Sequence, residues 1–405
     1  MVDFELAKEV RETRRLVHAF AQGRLRPIAR EFDRNEHAIP WDLIREVHRM
    51  QASMPVKRGT ATPGGTLAAA ILAEEMAWGD PGLMRMLPGP GLGGAAIMAN
   101  GTPEQIERFL KRYSGPEPAF GAMAMTEPGA GSDTAAVRTT AHREGDHWVL
   151  NGEKFFCSNA QMAIEKTRGL MVVWAKVVER GASPDQTTRA AMRPFVIPAG
   201  TPGARIAKVE KKLGIRASNT CDVVLEDCRV PLDHILPWPE DAAKAKGFKG
   251  AMAAFDTMRP IVAAAGIGCA RAALEATREL FRRAGQPIRY GLSPAQMAAA
   301  ERDFIEAEAK LQAARLLAWR ACWMADRKLP NNAEASMSKA MAGTVVAQVT
   351  QKCVELAGAL GYSEKEMLEK WLRDAKVTNI AEGTGEIQRL IIARRILGYT
   401  REQLK

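Results

Sequence analysis

Apolar residues recur every three to four positions in the first and last parts of the chain and every second position between them. The first spacing is typical of amphipathic helices and the second of strands with one buried face. Helices are predicted at 67–78 and after a Thr102 cap followed by Pro103, and Pro27 predicts a break in an earlier helical run. The Gly- and Met-bearing stretch 82–94 is interpreted as flexible.

Residues from about 119 to 235 predict a β-domain. Two β-prone runs flank Asn151-Gly152, a dipeptide whose tolerance of positive φ predicts a type I′ hairpin turn. Further strands are expected at 169–178, 193–199, 204–211 and 221–231. Because no helix-length segment separates these runs, a parallel βαβ sheet is disfavoured, and a compact antiparallel barrel or sandwich is expected.

The last part of the chain returns to helical spacing. Four Ala- and Leu-rich runs predict the helices of an antiparallel bundle, at 259–285, 293–328, 332–361 and 384–398. The predicted fold class is therefore α+β and mainly α. The predicted domains are an N-terminal helical domain at 1–119, a middle antiparallel β-domain at 120–238 and a C-terminal four-helix bundle at 239–405.

Composition narrows the classes of function. Hydrophobic residues make up 46% of the 405 residues, too many for a disordered protein. No apolar run reaches the ~18–20 residues that a membrane span needs, and the N-terminal sequence has no apolar signal core, so a cytoplasmic location is expected. The six cysteines form no C-x-x-C pair and no histidine lies at zinc-ligand spacing from them, which predicts reduced, mostly buried thiols and no metal site.

The chain is basic, with 57 Lys and Arg against 47 Asp and Glu, a formal net charge of +10. Such a charge permits a nucleic acid or a ligand with several phosphates. Acidic residues lie within or beside the basic runs, however, and this interspersion favours an ordinary solvated surface.

Two motifs in the β-domain are candidates for ligand contact. The segment 123–133, MAMTEPGAGSD, offers glycines for close backbone approach, hydroxyls at Thr126 and Ser132, and N–H groups that can bind an anion. It matches neither the dinucleotide fingerprint nor the Walker A loop, and a plain Gly-rich loop is an equal alternative. Further along, strand alternation places Phe156 and Ser158 on one face, which could hold a flat polar ring, although a core Phe beside a surface Ser is commoner.

Two more motifs lie in the C-terminal part. Asp256 and Arg259 share a helix face and could reach a ligand together, although a surface ion pair is the usual arrangement. Glu382 precedes Gly383 and Thr384 at the entry to the last helix, which Thr384 can cap. A carboxylate in such a loop is more often a partner of the helix dipole than a catalyst.

Together these motifs resemble the acyl-CoA dehydrogenases, FAD enzymes that oxidise acyl-CoA thioesters. The resemblance spans nearly the whole chain and is strongest in AMTEPGAGSD, LNGEK, KLGIRASNTCDVVLEDCRVP, FDTMRPIVAAAGIG and WLRDAKVTNIAEGTGEIQRLIIARRILG. It implies the three-domain fold expected above, usually in a homotetramer. It also implies α,β-dehydrogenation of an acyl-CoA to the trans-2-enoyl-CoA, with FAD N5 taking the β-hydride and electrons passing to an electron-transfer flavoprotein.

The resemblance also implies roles for individual positions. Glu382 matches the family's catalytic base, which removes the α-proton. The residues that would bind FAD are Met123, Met125, Thr126, Ser132, Phe156, Ser158 and Thr384. The residues that would contact the acyl-CoA are Ser132, Asp256, Arg259 and Gly383. No metal, nucleic acid or membrane is expected as a partner.

The chain departs from the family pattern at several positions. The segment that usually reaches a neighbour's FAD carries Phe281 and Ala284, and the matching segment of that neighbour carries Glu355 and Ala359, so the contacts to the FAD pyrophosphate and adenine stay open. Ala381 stands where the family usually has Tyr, which leaves room for a branched, cyclic or otherwise bulky acyl group.

Three alternatives are retained. Nitroalkane oxidases and desulfinases share the fold, but the former have Asp and the latter have no base where Glu382 stands. A non-catalytic, DNA-binding relative carries a long basic C-terminal region, whereas this chain ends at Lys405. The third alternative is a subunit that works only in a heteromer.

Overall fold

The computed structural model describes residues 6–53, 65–238, 247–400 and 403, and the first part of the chain is helical. Its helices are α1 (Lys8–Phe20), α2 (Ala29–Arg34), α3 (Trp41–Ser53), α4 (Gly65–Gly79), α5 (Pro81–Arg85), α6 (Gly91–Asn100) and α7 (Pro103–Leu110). The predicted Thr102 cap is confirmed and forms a capping box with Gln105. Pro27 does not end the helical run, because a π-helical turn at Ala21–Leu25 and a 3-10 turn at Arg26–Ile28 carry the chain from α1 into α2.

The stretch 82–94, predicted to be flexible, lies in α5, in α6 and in the turn between them. Asp80 caps α5 by accepting hydrogen bonds of 2.9 and 2.7 Å from two backbone N–H groups. A Cβ at Gly93, in α6, would lie 2.5 Å from the carbonyl O of Ala122. The glycines of this stretch therefore allow α6 to pack closely on the β-domain.

The middle part forms a mixed sheet, with seven strands in the described part of the chain. They are β1 (Gly121–Ala124), β2 (Thr140–Glu144), β3 (His147–Ser158), β4 (Leu170–Val177), β5 (Met192–Pro198), β6 (Ala204–Val209) and β7 (Thr220–Pro231), with the short helix α8 (Pro184–Arg189) before β5. The strand order is β1-β4-β2-β3-β7-β6, and β5 pairs with β4.

The prediction of a purely antiparallel domain is wrong for two strand pairs. β4 runs parallel to β1 and to β2, whereas the other pairs are antiparallel. The chain returns from β1 to β4 through the β2–β3 hairpin rather than through a long crossover helix. The lack of a helix between the strand runs therefore did not exclude parallel pairing.

The predicted hairpin turn at Asn151-Gly152 is also wrong. The β2–β3 turn lies at Gly145, where φ is +61°, and Asn151-Gly152 is internal to β3. The register between β3 and β7 shifts there, and a Cβ at Gly152 would lie 2.4 Å from Thr139 Oγ1. Asn151 exchanges hydrogen bonds of 2.8 and 3.1 Å with Asp227. The dipeptide therefore allows an irregularity inside β3 and a close approach of Gly152 to Thr139, rather than a turn.

Between residues 247 and 400 the structure contains four long helices, which confirms the predicted four-helix bundle. The helices are α9 (Gly247–Arg283), α10 (Ala299–Asp326), α11 (Asn332–Ala357), the short α12 (Ala359–Tyr362) and α13 (Leu368–Ala375), and α14 (Gly385–Leu397). A Cβ at Gly268 of α9 would lie 2.0 Å from the carbonyl O of Glu74 in α4. The N-terminal and C-terminal helices therefore pack closely and share one apolar core.

All six cysteines are buried and unpaired, as predicted. Burial raises the pKa of Cys157 to about 12, so its thiol stays protonated and unreactive near neutral pH. Within the described ranges, no helix is both long and apolar enough to cross a lipid bilayer.

A buried triad of charges joins α5 to α13. Lys370 donates hydrogen bonds to Asp80 and, at 2.6 Å, to Asp374, and the three side chains are at most 1% exposed. α13 continues through a 3-10 turn at Lys376–Asn379 into the loop that carries Glu382. The triad therefore fixes the segment from which this loop starts.

Candidate active site

Glu382 lies between α13 and α14 in a backbone conformation that few residues adopt. Its φ is +56°, and that of Gly383 is +91°. Thr384 caps α14 by accepting a hydrogen bond of 3.4 Å from the backbone N–H of Ile387. A residue with a side chain at positive φ is strained, and such strain is concentrated at functional sites.

Small residues let this loop approach the bundle. A Cβ at Gly343 or Gly385 would lie 2.6 or 2.3 Å from Asn379 Oδ1, and a Cβ at Gly266 would lie 2.6 Å from the Thr378 side chain. Side chains at these positions would displace the loop. The position of Glu382 is therefore set by close contacts with α9, α11 and α14.

The carboxyl group of Glu382 is enclosed but unpaired. Its Oε2 is inaccessible to solvent and has no hydrogen-bond partner among the described residues. Burial raises the pKa of Glu382, and the charges of Lys339, Arg85 and Arg259 offset this rise only in part. A carboxyl group in this environment binds a proton more readily than an ordinary glutamate and is suited to general base catalysis.

Asp256 and Arg259 form a buried pair in α9 rather than the commoner surface pair. Arg259 is 4% exposed and donates a hydrogen bond of 2.5 Å to Asp256 Oδ1. Asn332 Nδ2 donates to the same oxygen at 2.8 Å. The Nε of Arg259 is buried without a partner in the described part of the chain. The Nε–H group of Arg259 is therefore available to a ligand. The positive charge of Arg259 also lowers the pKa of Glu382.

The segment 123–133 leaves β1 as a loop that is held from one side by a buried ion pair. Lys154 donates hydrogen bonds to Glu127 Oε1 at 2.7 Å and to the carbonyl O of Met125 at 3.2 Å. Glu127 also accepts hydrogen bonds of 2.6 and 3.0 Å from two backbone N–H groups just before β2. These contacts fix the loop from beneath without occupying its other side.

The other side of the loop is open. Met125 and Thr126 are half-buried and Ser132 is exposed, whereas Met123, still within β1, is half-buried against the apolar core. A Cβ at Gly129 or Gly131 would meet no atom within 4 Å. The hydroxyls of Thr126 and Ser132 have no hydrogen-bond partner within the ranges that the structure describes. The loop therefore presents accessible backbone and free hydroxyls.

Phe156 and Ser158 stand beside this loop on one face of β3. Phe156 is 62% exposed at a φ of +56°, Ser158 is exposed, and Cys157 between them is buried. The backbone N–H of Phe155 donates to the carbonyl O of Thr126 at 2.8 Å, which joins the strand to the loop. Both side chains are exposed, but the register between β3 and β7 shifts between Lys154 and Cys157. A strand irregularity, rather than the simple alternation that was predicted, therefore places an aromatic ring and a hydroxyl at the edge of the open loop.

Sequence reasoning missed Arg85, which lies in the stretch interpreted as flexible. Asn159 Nδ2 donates to its carbonyl O at 2.8 Å, and its guanidinium donates to the carbonyl O of Pro81. Within the described ranges it forms no ion pair, yet its charge acts on Glu382.

Sequence reasoning also missed Lys339 and Gln388, which hold the loop itself. Both donate to the carbonyl O of Gly383, at 3.3 and 3.2 Å. Each is a long polar residue that is completely buried in a helix of the bundle. A polar residue on the apolar face of an amphipathic helix could have pointed to them, but the sequence does not show what they bind.

Apart from Ala381, the positions that depart from the family pattern lie outside the Glu382 loop, at the C-terminal ends of α9 and α11 and the start of α12. Phe281 is half-buried, and the exposed positions are Ala284, Glu355 and Ala359. Glu355 pairs with Lys352 at 2.8 Å. These surface positions leave the geometry around Glu382 unaffected.

Comparison with known proteins supports the resemblance along the whole chain. Family models for the N-terminal, middle and C-terminal domains of acyl-CoA dehydrogenase match residues 7–115, 122–228 and 245–397. The chain is 32% identical to the short-chain specific acyl-CoA dehydrogenase of Clostridium acetobutylicum, over 98% of this chain and 100% of the relative. It is 34% identical to the acryloyl-CoA reductase (NADH) of Anaerotignum propionicum, over 98% of this chain and 96% of the relative.

A solved structure agrees with these matches. The butyryl-CoA dehydrogenase of Megasphaera elsdenii superimposes with a TM-score of 0.82 at 28% identity, covering 98% of this chain and 100% of that one. Three domain matches in the expected order and full-length relatives above 30% identity cannot arise from a shared fold alone. The chain therefore belongs to the acyl-CoA dehydrogenase family.

Proposed function

We propose that this acyl-CoA dehydrogenase oxidises an acyl-CoA thioester to the trans-2-enoyl-CoA, with Glu382 as the base. The observation that carries the proposal is the buried Oε2 of Glu382, which has no partner among the described residues although the loop around it is tightly held. An enclosed carboxyl group with a raised pKa matches the need to remove a weakly acidic α-proton. A structural glutamate would instead be expected to have its hydrogen bonds satisfied.

The backbone of Glu382 has a second role in this proposal. Its N–H group donates to no acceptor within the described residues. Removal of the α-proton places negative charge on the thioester oxygen, and a fixed N–H donor stabilises such charge most effectively in a dry site. The strained φ of Glu382 therefore serves to present side chain and N–H group together.

FAD is the cofactor that the open loop fits. The proposed FAD residues are Met123, Met125, Thr126, Ser132, Phe156, Ser158 and Thr384. Free hydroxyls, accessible glycine backbone at 129–131 and the exposed Phe156 ring suit a planar heterocycle with polar edges. When bound, FAD would supply the acceptor for the β-hydride, and the protein would orient substrate and cofactor.

The acyl-CoA is proposed to contact Ser132, Asp256, Arg259 and Gly383. The unpartnered Nε of Arg259 can donate to a polar group of the CoA arm, and the glycine at position 383 allows close approach next to the base. Further proposals from the family resemblance are electron-transfer flavoprotein as acceptor, a homotetramer, a cytoplasmic location and domain boundaries near 119 and 238.

The decisive experiment is a substrate screen with the purified protein. We expect yellow protein with an FAD spectrum that is bleached by saturated acyl-CoAs in the absence of an acceptor, and turnover with a dye or with electron-transfer flavoprotein. Short-chain, branched, cyclic and dicarboxylic acyl-CoAs form the panel. Colourless protein that cannot be loaded with FAD, or duplex-DNA binding with a steep salt dependence and no bleaching, would contradict the proposal.

Ala381 is proposed to set the width of the acyl site. It is half-buried, directly before the base, and its small side chain leaves room for a branched or cyclic acyl group. We expect Ala381→Tyr to lower kcat/KM for bulky acyl-CoAs by about tenfold or more while short straight acyl-CoAs are nearly unaffected. Comparison of kcat/KM across the panel checks this, and equal losses for all substrates, or a preference of the parent for short straight chains, would contradict it.

A further inference from the structure

Lys339 is completely buried in the bundle and has an unusual set of partners. Its Nζ donates to the carbonyl oxygens of Thr378, at 2.5 Å, and of Gly383, at 3.3 Å. Within the described ranges no carboxylate lies within ion-pair distance of this ammonium group. Carbonyl dipoles offset the desolvation free energy of a buried cation less completely than a carboxylate does. Burial of Lys339 therefore lowers the stability of the folded state.

Two other lysines in the described part of the chain are buried to the same extent, and both have carboxylate partners. Lys154 is paired with Glu127 at 2.7 Å, and Lys370 is paired with two aspartates. Both therefore neutralise a carboxylate. Lys339 differs because both of its partners are neutral carbonyl groups, and both lie in the segment that carries Glu382. This arrangement indicates that Lys339 serves to position Glu382.

The two carbonyl groups lie on either side of Glu382 in the sequence. Thr378 lies in the 3-10 turn before Glu382, and Gly383 follows Glu382 directly. Gln388 Nε2 also donates to the carbonyl O of Gly383 at 3.2 Å. Lys339 and Gln388 thus both hold the carbonyl group of Gly383, the residue directly after Glu382, and both residues have positive φ. Without this grip the loop would be free to relax to a commoner conformation.

We propose that Lys339 is a positioning residue for the catalytic base. Its ammonium group holds the loop on both sides of Glu382, and its positive charge favours the ionised form of the Glu382 carboxyl group. The catalytic part of this inference rests on the function proposed above, whereas the clamp and the effect on ionisation do not depend on turnover.

The charges around Lys339 agree with this role. Burial lowers the pKa of Lys339 to about 8, Glu382 acts to raise it, and Arg259 of α9 acts to lower it. From α14 the neighbouring polar group is the uncharged Gln388. In return, Lys339 is the strongest of the three cations that lower the pKa of Glu382, ahead of Arg85 and Arg259. Loss of the Lys339 proton above about pH 8 should therefore disturb the base.

The test compares Lys339→Met, which keeps the length of the side chain but removes its charge, with Lys339→Arg. Lys310→Met, at an exposed lysine of α10, is the matched control. Ionisation of Glu382 is followed by pH-difference infrared spectroscopy of the carboxyl band, which the Glu382→Gln variant identifies. We expect Lys339→Met to move this ionisation upward by about one pH unit or more, a tenfold change in proton affinity.

Turnover supplies the second readout. Lys339→Met should lower kcat about tenfold or more at neutral pH with little change in KM, because the base is misplaced and more protonated while the substrate contacts stay in place. Lys339→Arg should recover most of the ionisation but not all of kcat. An unchanged infrared titration and an unchanged kcat in Lys339→Met would overturn the proposal, as would equal behaviour of the Met and Arg variants.

If Lys339→Met does not fold, the parent and Lys339→Arg can still be compared at alkaline pH. The parent should lose activity reversibly above about pH 8 as Lys339 deprotonates, and Lys339→Arg should lack this alkaline limb because arginine stays charged. An identical alkaline limb in both proteins would overturn the proposal. Should no acyl-CoA be oxidised at all, the proposed function fails but the infrared titration still decides the effect of Lys339 on Glu382.

Discussion

We expect Glu382→Gln to abolish most of the flavin bleaching by acyl-CoA, with a fall in its rate of about 10²–10⁴-fold, the usual contribution of a general base. The amide has nearly the shape of the carboxylate but cannot take up a proton. FAD content and acyl-CoA affinity should therefore be close to those of the parent. Stopped-flow spectra of the flavin under anaerobic conditions measure the rate, and equilibrium titration with acyl-CoA measures the affinity.

Stability separates loss of the base from loss of the fold. Burial raises the pKa of Glu382 above the ordinary value of 4.5. Its ionisation therefore lowers the free energy of unfolding as the pH rises from 4.5 to the raised pKa. An amide removes this penalty, and Glu382→Gln should be at least as stable as the parent at neutral pH. Glu386→Gln, at an exposed position in the first turn of α14, is the matched control and should keep its activity. Bleaching of the Glu382→Gln protein at the parental rate would show that another group is the base.

The acidic limb of the rate profile tests the same assignment. Because the pKa of Glu382 is raised, the parent should lose activity on acidification at a higher pH than an ordinary glutamate would allow. This limb reports protonation of the base, so it should vanish from the small residual rate of Glu382→Gln. A limb that is unchanged in the variant would belong to a different group.

The sequence predicts the helices and the order of layers because these follow from periodicity, which is local. The runs at 259–285 and 332–361 carry an apolar stripe of helical spacing, and both form bundle helices. The predicted hairpin at Asn151-Gly152 is wrong because it depends on contacts that are not local. That dipeptide allows an unusual φ, but whether the result is a turn or a bulge depends on Thr139 and Asp227, which are distant in sequence.

The candidate site shows the same division. Motif and resemblance identified Glu382 and the residues of the open loop, since they lie in continuous segments of distinctive composition. Arg85 and Lys339 come from α5 and α11, far from Glu382 in sequence, and act on it only through folding. No local pattern gives the direction of a buried side chain, so the cations that tune the base emerge only from the three-dimensional structure.

Lys370→Met is the substitution with the largest expected effect on folding. It leaves Asp80 and Asp374 buried without their cation, and removal of one partner from a buried ionic group typically costs about 3–5 kcal/mol. Burial lowers the pKa of Lys370, but Asp374 and Asp80 outweigh burial and raise it above the ordinary value of 10.5. The lysine is therefore charged throughout the neutral range, and the loss should appear in the free energy of unfolding by urea at pH 7.

The pH dependence and a compensated variant identify the cause of that loss. Burial raises the pKa of Asp374 and the charge of Lys370 opposes this rise, so without Lys370 the carboxyl group of Asp374 should take up a proton more readily. The variant should therefore be destabilised more at pH 8 than at pH 5. Adding Asp80→Asn and Asp374→Asn to Lys370→Met should restore part of the stability, because the amides keep the shape without the charge. Lys376→Met, at an exposed lysine just after α13, should cost little. Equal destabilisation at both pH values, with no recovery in the triple variant, would mean that Lys370 stabilises α13 through packing of its aliphatic chain rather than through the charges that join α5 to the loop of Glu382.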